Sequence, residues 1–260
     1  MNRFIAAALL ALSSVMPAAA AECVNPPEIG QVVLAPTDCD GLSAVYSGET
    51  RAYPHGVLGD RIEYTTLSVK RGRTTVNLRL PSSRVFEDLA PRLADVDGAP
   101  GPEIVVVESF DTSGASLVVY KPEFSADGAR VRRFAAVPPI GQRFRWLGPV
   151  GIADFDGDGQ NDIAYVETPH LGQILKIVTL REGRLELIAE APGFSNHRIG
   201  EAFISGGVRE CGSGPETVTA SGDWTRVLAA RLEDGAIATN DLGAFSGPES
   251  FAAVLACDPL

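Results

Sequence analysis

The feature that most constrains this chain is a strand–turn–strand pattern written twice. Arg92-Leu-Ala-Asp-Val-Asp-Gly98, followed by Glu103-Ile-Val-Val-Val107, returns as Gly151-Ile-Ala-Asp-Phe-Asp-Gly157, followed by Asp162-Ile-Ala-Tyr-Val166. The matching positions Asp95 and Asp154 lie 59 residues apart. Self-similarity at a fixed interval marks stacked supersecondary units, because one such unit cannot bury its apolar face alone. Weaker copies flank the pair. Gly59-Asp60-Arg-Ile-Glu-Tyr64 with Leu67-Ser-Val69 precedes it, and Gly214-Pro-Glu216-Thr-Val-Thr219 with Val227-Leu-Ala-Ala-Arg-Leu232 follows. The acidic counterparts Asp60, Glu103, Asp162 and Glu216 are spaced by 43, 59 and 54 residues.

The apolar runs are short, β-branched and bounded by Gly, Pro or Asp: Ile104–Val107, Leu117–Tyr120, Ile163–Val166, Ile174–Leu180 and Leu185–Ile188. That is strand punctuation, and beyond the amino-terminal residues no stretch sustains a helical i, i+3, i+4, i+7 face. The chain therefore reads as all-β. Unit spacings near 40–50 residues are those of β-propeller blades. Four units are legible. Phe251-Ala-Ala-Val-Leu-Ala256 reads as a further opening strand, which in a closed ring would pair with the amino-terminal segment and remove an exposed edge. The expectation is a β-propeller of about four to five blades over residues 22–260; an open sandwich of similar hairpins is the competing architecture.

The turn of the third unit carries the chemistry. Asp154, Asp156, Asp158 and Asp162 take its first, third, fifth and ninth places, with Gly159 sixth and the Gln160 carbonyl seventh. Alternate carboxylates on a tight loop converge on one centre, which suits a hard cation such as calcium with six to eight oxygen ligands. Four like charges held so close repel strongly without a cation. An EF-hand would place a Glu at position twelve, but Tyr165 stands there inside a strand. Ala153-Asp-Phe-Asp-Gly-Asp-Gly-Gln-Asn-Asp-Ile163 resembles the signature of VCBS/FG-GAP repeats, the units of integrin-α-like β-propellers. That resemblance implies a propeller with structural calcium, used for binding a ligand or partner. It is close over residues 145–180 and extends, as a degenerate repeat, over 50–257. In the second unit, Ala99 and Pro100 replace the fifth carboxylate and the glycine, so the Asp95–Glu103 loop is expected to be weak or empty. In the fourth, Arg209 and Cys211 are expected to stabilise the turn through a salt bridge and a disulfide in place of metal.

Met-Asn-Arg3, an apolar stretch from Phe4 to about Met16, and Ala19-Ala-Ala21 form the tripartite pattern of an export signal. Cleavage is expected near Ala21, giving a soluble exported chain in the periplasm or outside the cell. No later stretch is long and apolar enough to span a bilayer. Four cysteines suit two disulfides, and of three pairings Cys23–Cys39 with Cys211–Cys257 is favoured. The formal charge of −11 argues against nucleic acid.

No nucleophile elbow, His-Glu-x-x-His or phosphate loop occurs, and no catalytic residue is assigned. His55, His170 and His197 are expected in turns or at the surface, with Asp111, Glu167 or Glu201 as the available acid–base neighbours. Trp146, Trp224, Tyr46, Tyr53 and Tyr64 are expected to pack between units, sugar stacking being the alternative. Arg130–Arg133 and Arg143–Trp146 are basic segments expected to be solvated, with an anionic ligand as the other use. The functional expectation is a non-catalytic, calcium-binding module for a partner protein or glycan; the alternative is a polysaccharide-acting enzyme.

Overall fold

The computed structural model describes residues 37–260, so the expected leader and Cys23 lie outside the described residues. The first unit contains β1 (Thr37–Cys39), β2 (Leu42–Thr50), β3 (Glu63–Arg71) and β4 (Thr74–Arg79). The second contains β5 (Arg84–Phe86), β6 (Arg92–Ala94), β7 (Glu103–Phe110), β8 (Gly114–Ser125) and β9 (Gly128–Ala136). The third contains β10 (Leu147–Ala153), β11 (Asp162–Glu167), β12 (Ile174–Arg181) and β13 (Arg184–Pro192). The fourth contains β14 (Phe194–Ser195), β15 (Gly207–Glu210), β16 (Pro215–Ser221), β17 (Arg226–Glu233), β18 (Ala236–Ala244) and the helix α1 (Pro248–Leu255).

All pairings are antiparallel, in curled sheets that form half-barrels. The first two units share one sheet because β5 bridges them, pairing β3 at Tyr64↔Phe86 and β7 at Phe86↔Glu108. The third and fourth units each have their own sheet. Tight hairpins follow from Asp-Gly and Glu-Gly pairs: Asp40-Gly41, Glu182-Gly183 and Asp234-Gly235 all have positive φ at both positions. That is the two-residue turn whose twist matches the flanking strands.

The expected runs all lie in strands, and β7 and β11 are buried on both faces, which is why their sequences are continuously apolar. Cores form between consecutive units. Leu42, Leu67 and Phe86 pack with Ile104, Val106 and Tyr120, joining the first unit to the second. Val105, Val107 and Leu117 pack with Trp146, Ile152 and Tyr165, joining the second to the third. Val166 and Leu175 meet Phe194 and Ala230, joining the third to the fourth. Along one side β4 lies beside β9, β9 beside β13 and β13 beside β18.

One expected strand is a helix. Phe251–Ala256 falls largely within α1, whose first turn holds Pro248 and whose buried residues are Ser250, Phe251 and Val254. Proline suits the first helical turn, and burial at a three-to-four residue interval is helical. α1 packs on β15 and β16, so it caps the fourth unit and adds no strand. The Cys211–Cys257 disulfide, Cα–Cα 5.8 Å, fastens it there. Cys39 is also disulfide-bonded, and its expected partner Cys23 lies outside the described residues.

The Cys211–Cys257 link closes a 46-residue separation. Replacing both cysteines by serine is expected to lower stability by about 4 kcal/mol in urea unfolding. Limited proteolysis should then cut first next to α1.

Candidate metal centre

The Asp154–Asp162 turn is clamped at its base by the Ala153↔Asp162 pair of β10 and β11. Gly157 and Gly159 have φ of 77° and 91°, which side-chain-bearing residues rarely adopt. These two glycines let the chain double back on Asp154, whose Oδ1 accepts from Gly157 N at 2.8 Å and Oδ2 from Gly159 N at 2.9 Å. Asp156 Oδ1 accepts from Asp158 N at 3.1 Å. One carboxyl oxygen from each of Asp154, Asp156 and Asp162 lies within 4.8 Å of the other two. Such an oxygen cluster can hold a metal ion.

Asp162 is the critical member because it is fully buried. Its Oδ2 accepts from Phe155 N at 3.1 Å, which satisfies a main-chain donor inside the turn. Its Oδ1 makes no well-formed hydrogen bond among the described residues. Burial raises its pKa to about 6; the nearby Thr179 hydroxyl opposes this and the Asp156 charge adds to it. Thr179 Oγ1 makes no well-formed hydrogen bond either. Asp162 is thus a buried carboxylate faced by a neutral hydroxyl and by no cation among the described residues, which is costly unless something supplies positive charge.

The sister loops show what fills that position. In the second unit Asp95, Asp97 and Glu103 repeat the cluster, and Val96 N donates to Glu103 Oε2 at 3.1 Å as Phe155 N does to Asp162. The register Ile104↔Tyr120 puts Lys121 opposite Glu103, and Ile163↔Val178 puts Thr179 opposite Asp162. The Lys121 ammonium is hydrogen-bonded to Asp97 and lies 3.3 Å from Glu103 Oε1. The degenerate loop thus already contains a cation, tethered from the next strand. Burial raises Glu103 to about 7, opposed by the Val96 N–H and by Lys121.

In the fourth unit the same register places Arg231 opposite Glu216, at 3.3 Å. Arg209 adds a 2.7 Å pair and also donates to Val254 O at the end of α1. The expected salt bridge and disulfide are both present. In the first unit the counterpart is Glu63, which begins β3, and not Asp60, whose Oδ1 caps Ile62 N in the preceding turn. Burial and the charges of Glu87, Asp60 and Asp88 push Glu63 up to about 10, so it is protonated at neutral pH. The four strand-head carboxyls are therefore met by a proton, a lysine, no cation among the described residues, and two arginines.

Two sequence-predicted ligands sit differently from the central trio. Asp158 Oδ1 accepts from Gln160 N at 2.9 Å, and Oδ2 faces Arg181 at 3.5 Å at the open side of the loop. The Gln160 side-chain amide donates to Val96 O and Leu180 O at 2.8 and 2.7 Å, strapping this loop to its neighbour. Asn161 Nδ2 does the same to Asp95 O at 2.8 Å.

No protein-family model and no curated protein matches this chain. The likeness to VCBS/FG-GAP repeats therefore stays with the loop residues that carry it.

At the opposite ends of β10 and β11 the three histidines converge, against the expectation of scattered turn or surface positions. His55 Nδ1 lies 2.6 Å from Glu87 Oε1, whose other oxygen accepts from Ser109 Oγ. Burial raises the Glu87 pKa, and the His55 and Ser109 hydrogen bonds oppose it. His170 Nε2 lies 2.9 Å from His197 Nδ1, and His197 Nε2 lies 3.0 Å from Glu201 O. Burial lowers His170 to about 4, helped by the neighbouring His197 and His55. None of the anticipated carboxylates serves His55. Glu87 and Ser109, which do, come from β5–β7 and carry no local signal. Glu167 pairs with Lys176 at 3.0 Å, and Asp111 N donates to Ser83 O.

Trp146 and Tyr53 are buried packing residues, as expected: Trp146 Nε1 donates to Glu87 O at 2.8 Å and Tyr53 Oη accepts from Phe144 N at 3.0 Å. Arg130 and Arg132 are engaged by Glu123, and Arg143 lies over the Tyr53 and Phe144 rings. No described helix is long and apolar enough to cross a membrane.

Two outcomes follow from the loop geometry. A protonated Asp162 cannot ligate, so with its pKa raised to about 6 a divalent cation should raise the melting temperature more at higher pH. Melting curves at pH about 8 and about 5 should show that shift shrinking at the acidic value. Lys121→Thr should give the second unit the composition of the third at the decisive position. Terbium luminescence titration should then count one more bound ion per chain than in wild type, and the variant should be destabilised in chelator.

Proposed function

We propose that this chain is an exported calcium-binding repeat protein, a β-propeller of VCBS/FG-GAP type with four to five units, acting as a non-catalytic module for a partner protein or glycan. The observation that carries the calcium assignment is the buried Asp162, whose Oδ1 meets no cation among the described residues, beside Asp154 and Asp156 at a strand head whose opposite residue, Thr179, brings no charge. A purely oxygen donor set favours a hard cation, and calcium accepts irregular loops with carbonyl and water ligands. Asp154, Asp156 and Asp162 would form the inner set, with the Gln160 main-chain carbonyl and Asp158 completing the shell. The propeller reading is supported by the repeated antiparallel units and the in-line packing of β4, β9, β13 and β18.

Calcium acts here on stability, since it binds the folded loop and not the unfolded chain. Calcium should raise the melting temperature, chelator should lower it, and Asp156→Ala should abolish the difference. At a hundredfold excess over Kd the gain is about 2.7 kcal/mol. Identical melting curves in all three conditions would remove the calcium assignment. Saturable glycan or protein binding without turnover supports the module, and product formation supports the polysaccharide-acting enzyme.

A further inference from the structure

We propose that Arg181 is a tethered placeholder for the bound ion: its guanidinium steadies the acidic loop of the third unit when the loop is empty, gives way when a divalent cation enters, and thereby sets how tightly that cation is held. This inference rests on the calcium reading of the loop and names the residue that tunes it.

Comparison of the units shows a cation displaced by one step of the pleat. In β8, Lys121 stands opposite the strand-head Glu103, and two residues on comes Glu123, tied to Arg130 and Arg132. In β17, Arg231 stands opposite Glu216, and two residues on comes Glu233, paired with Arg231. β12 reverses the order. Neutral Thr179 stands opposite Asp162, and the cation Arg181 follows two residues later. Side chains two apart share a face of a strand, and that step moves the charge ~7 Å along it. The third unit therefore carries a cation on the same face, but at the mouth of the loop and off the buried carboxyl.

The oxygens that Arg181 meets are those the loop leaves open. Main-chain N–H groups engage both oxygens of Asp154 and the Oδ1 atoms of Asp156 and Asp158. Arg181 faces the remaining Oδ2 atoms of Asp156 and Asp158, at 3.4 and 3.5 Å. Both distances are long for an ion pair and the Arg181 side chain is half exposed, so it can turn into solvent at little cost. Lys121 differs: hydrogen-bonded to Asp97 and 3.3 Å from the buried Glu103, it sits in the cluster itself. Two effects of opposite sign follow for Arg181. In the empty loop its charge offsets the repulsion between carboxylates, and in the filled loop it repels the ion. At a separation of ~6 Å in water, a unit charge and a divalent cation repel enough to change Kd ~5- to 10-fold.

The test is calorimetric titration of the chelator-treated full chain with calcium chloride at low ionic strength. Wild type is compared with Arg181→Gln, with Arg181→Lys, which keeps the charge, and with Arg73→Gln, which removes an equal charge in the turn between β3 and β4. Arg181→Gln should bind calcium ~5- to 10-fold more tightly than wild type. It should also melt below wild type in chelator, an opposite change that loss of a merely structural contact does not produce. Arg181→Lys should restore wild-type affinity, Arg73→Gln should match wild type, and high salt should shrink the tightening. Calcium uptake by wild type with an unchanged Kd in Arg181→Gln overturns this inference and leaves the calcium reading standing. Equal tightening in Arg73→Gln does the same, since it assigns the effect to net charge. No uptake by any of the four proteins overturns both. Should Arg181→Gln fail to fold, arginine Nε–H spectra of the wild type decide: calcium should move the Arg181 resonance and not that of Arg73, and an unmoved Arg181 resonance overturns the proposal.

Discussion

Each unit of this fold carries a buried carboxyl group at the head of one inner strand: Glu63 on β3, Glu103 on β7, Asp162 on β11 and Glu216 on β16. The group is needed where it is: Glu103 and Asp162 accept the N–H of Val96 and Phe155, donors that the turn would otherwise leave unsatisfied inside the protein. A buried carboxylate that serves a backbone donor still carries a charge that burial penalises. The fold therefore has to neutralise the same atom four times, and it does so in different ways. Glu63 keeps its proton, Glu103 receives Lys121, and Glu216 receives Arg209 and Arg231. Asp162 receives only hydrogen-bond donors on one side, and its second oxygen faces a hydroxyl. The divergence of the four loops is thus one electrostatic problem with four solutions.

Tethered and diffusible cations differ in a way that matters for stability. Lys121 and Arg231 are covalently part of the chain, so their neutralising charge is present at any solution composition. A diffusible ion at Asp154–Asp162 would contribute as the logarithm of 1 + [ion]/Kd, so its share follows the solution composition. The third unit would then be the one whose local stability follows the environment. Like the second, it is an inner unit, sharing cores with the second unit through Ile152 and Tyr165 and with the fourth through Val166 and Leu175.

Much of the fold was legible because its signals are local. Continuous apolar runs marked β7 and β11, Gly, Pro and Asp marked the breaks between strands, and alternate aspartates marked the candidate metal loop. The misreadings share a cause, which is that they depend on register or on distant chain. Asp60 looked like the first unit's acidic counterpart because it follows a glycine, whereas pairing Thr50↔Glu63 makes Glu63 the strand head. Lys121 could not be recognised as a cation for Glu103 without knowing that β8 lies opposite it in that register. Phe251–Ala256 is apolar enough for either a strand or a helix, and Pro248 was the signal that should have decided it. The histidine cluster had no local trace at all, since His55, Glu87 and Ser109 come from separate turns and strands, and His170 and His197 lie 27 residues apart.

The acidic loop and the histidine cluster lie at opposite ends of β10 and β11. Trp146 and Thr168 stand at the histidine end of these strands, while Ala153 and Asp162 stand at the acidic end, one strand length away. Seven residues of strand span roughly 20 Å, so no direct contact links the two. What links them is the pairing between them, which runs Leu147↔Glu167 to Ala153↔Asp162 with a bulge at Pro149/Gly151. The bulge is closely supported: Asn196 Nδ2 donates to Gly148 O and Pro149 O, and Asn196 immediately precedes His197. Charge balance at Asp162 holds one end of that ladder closed, and the Asn196 and Trp146 hydrogen bonds hold the other. The acidic loop and the imidazole cluster are thus joined through the main-chain pairing of one antiparallel ladder, with a backbone irregularity between them.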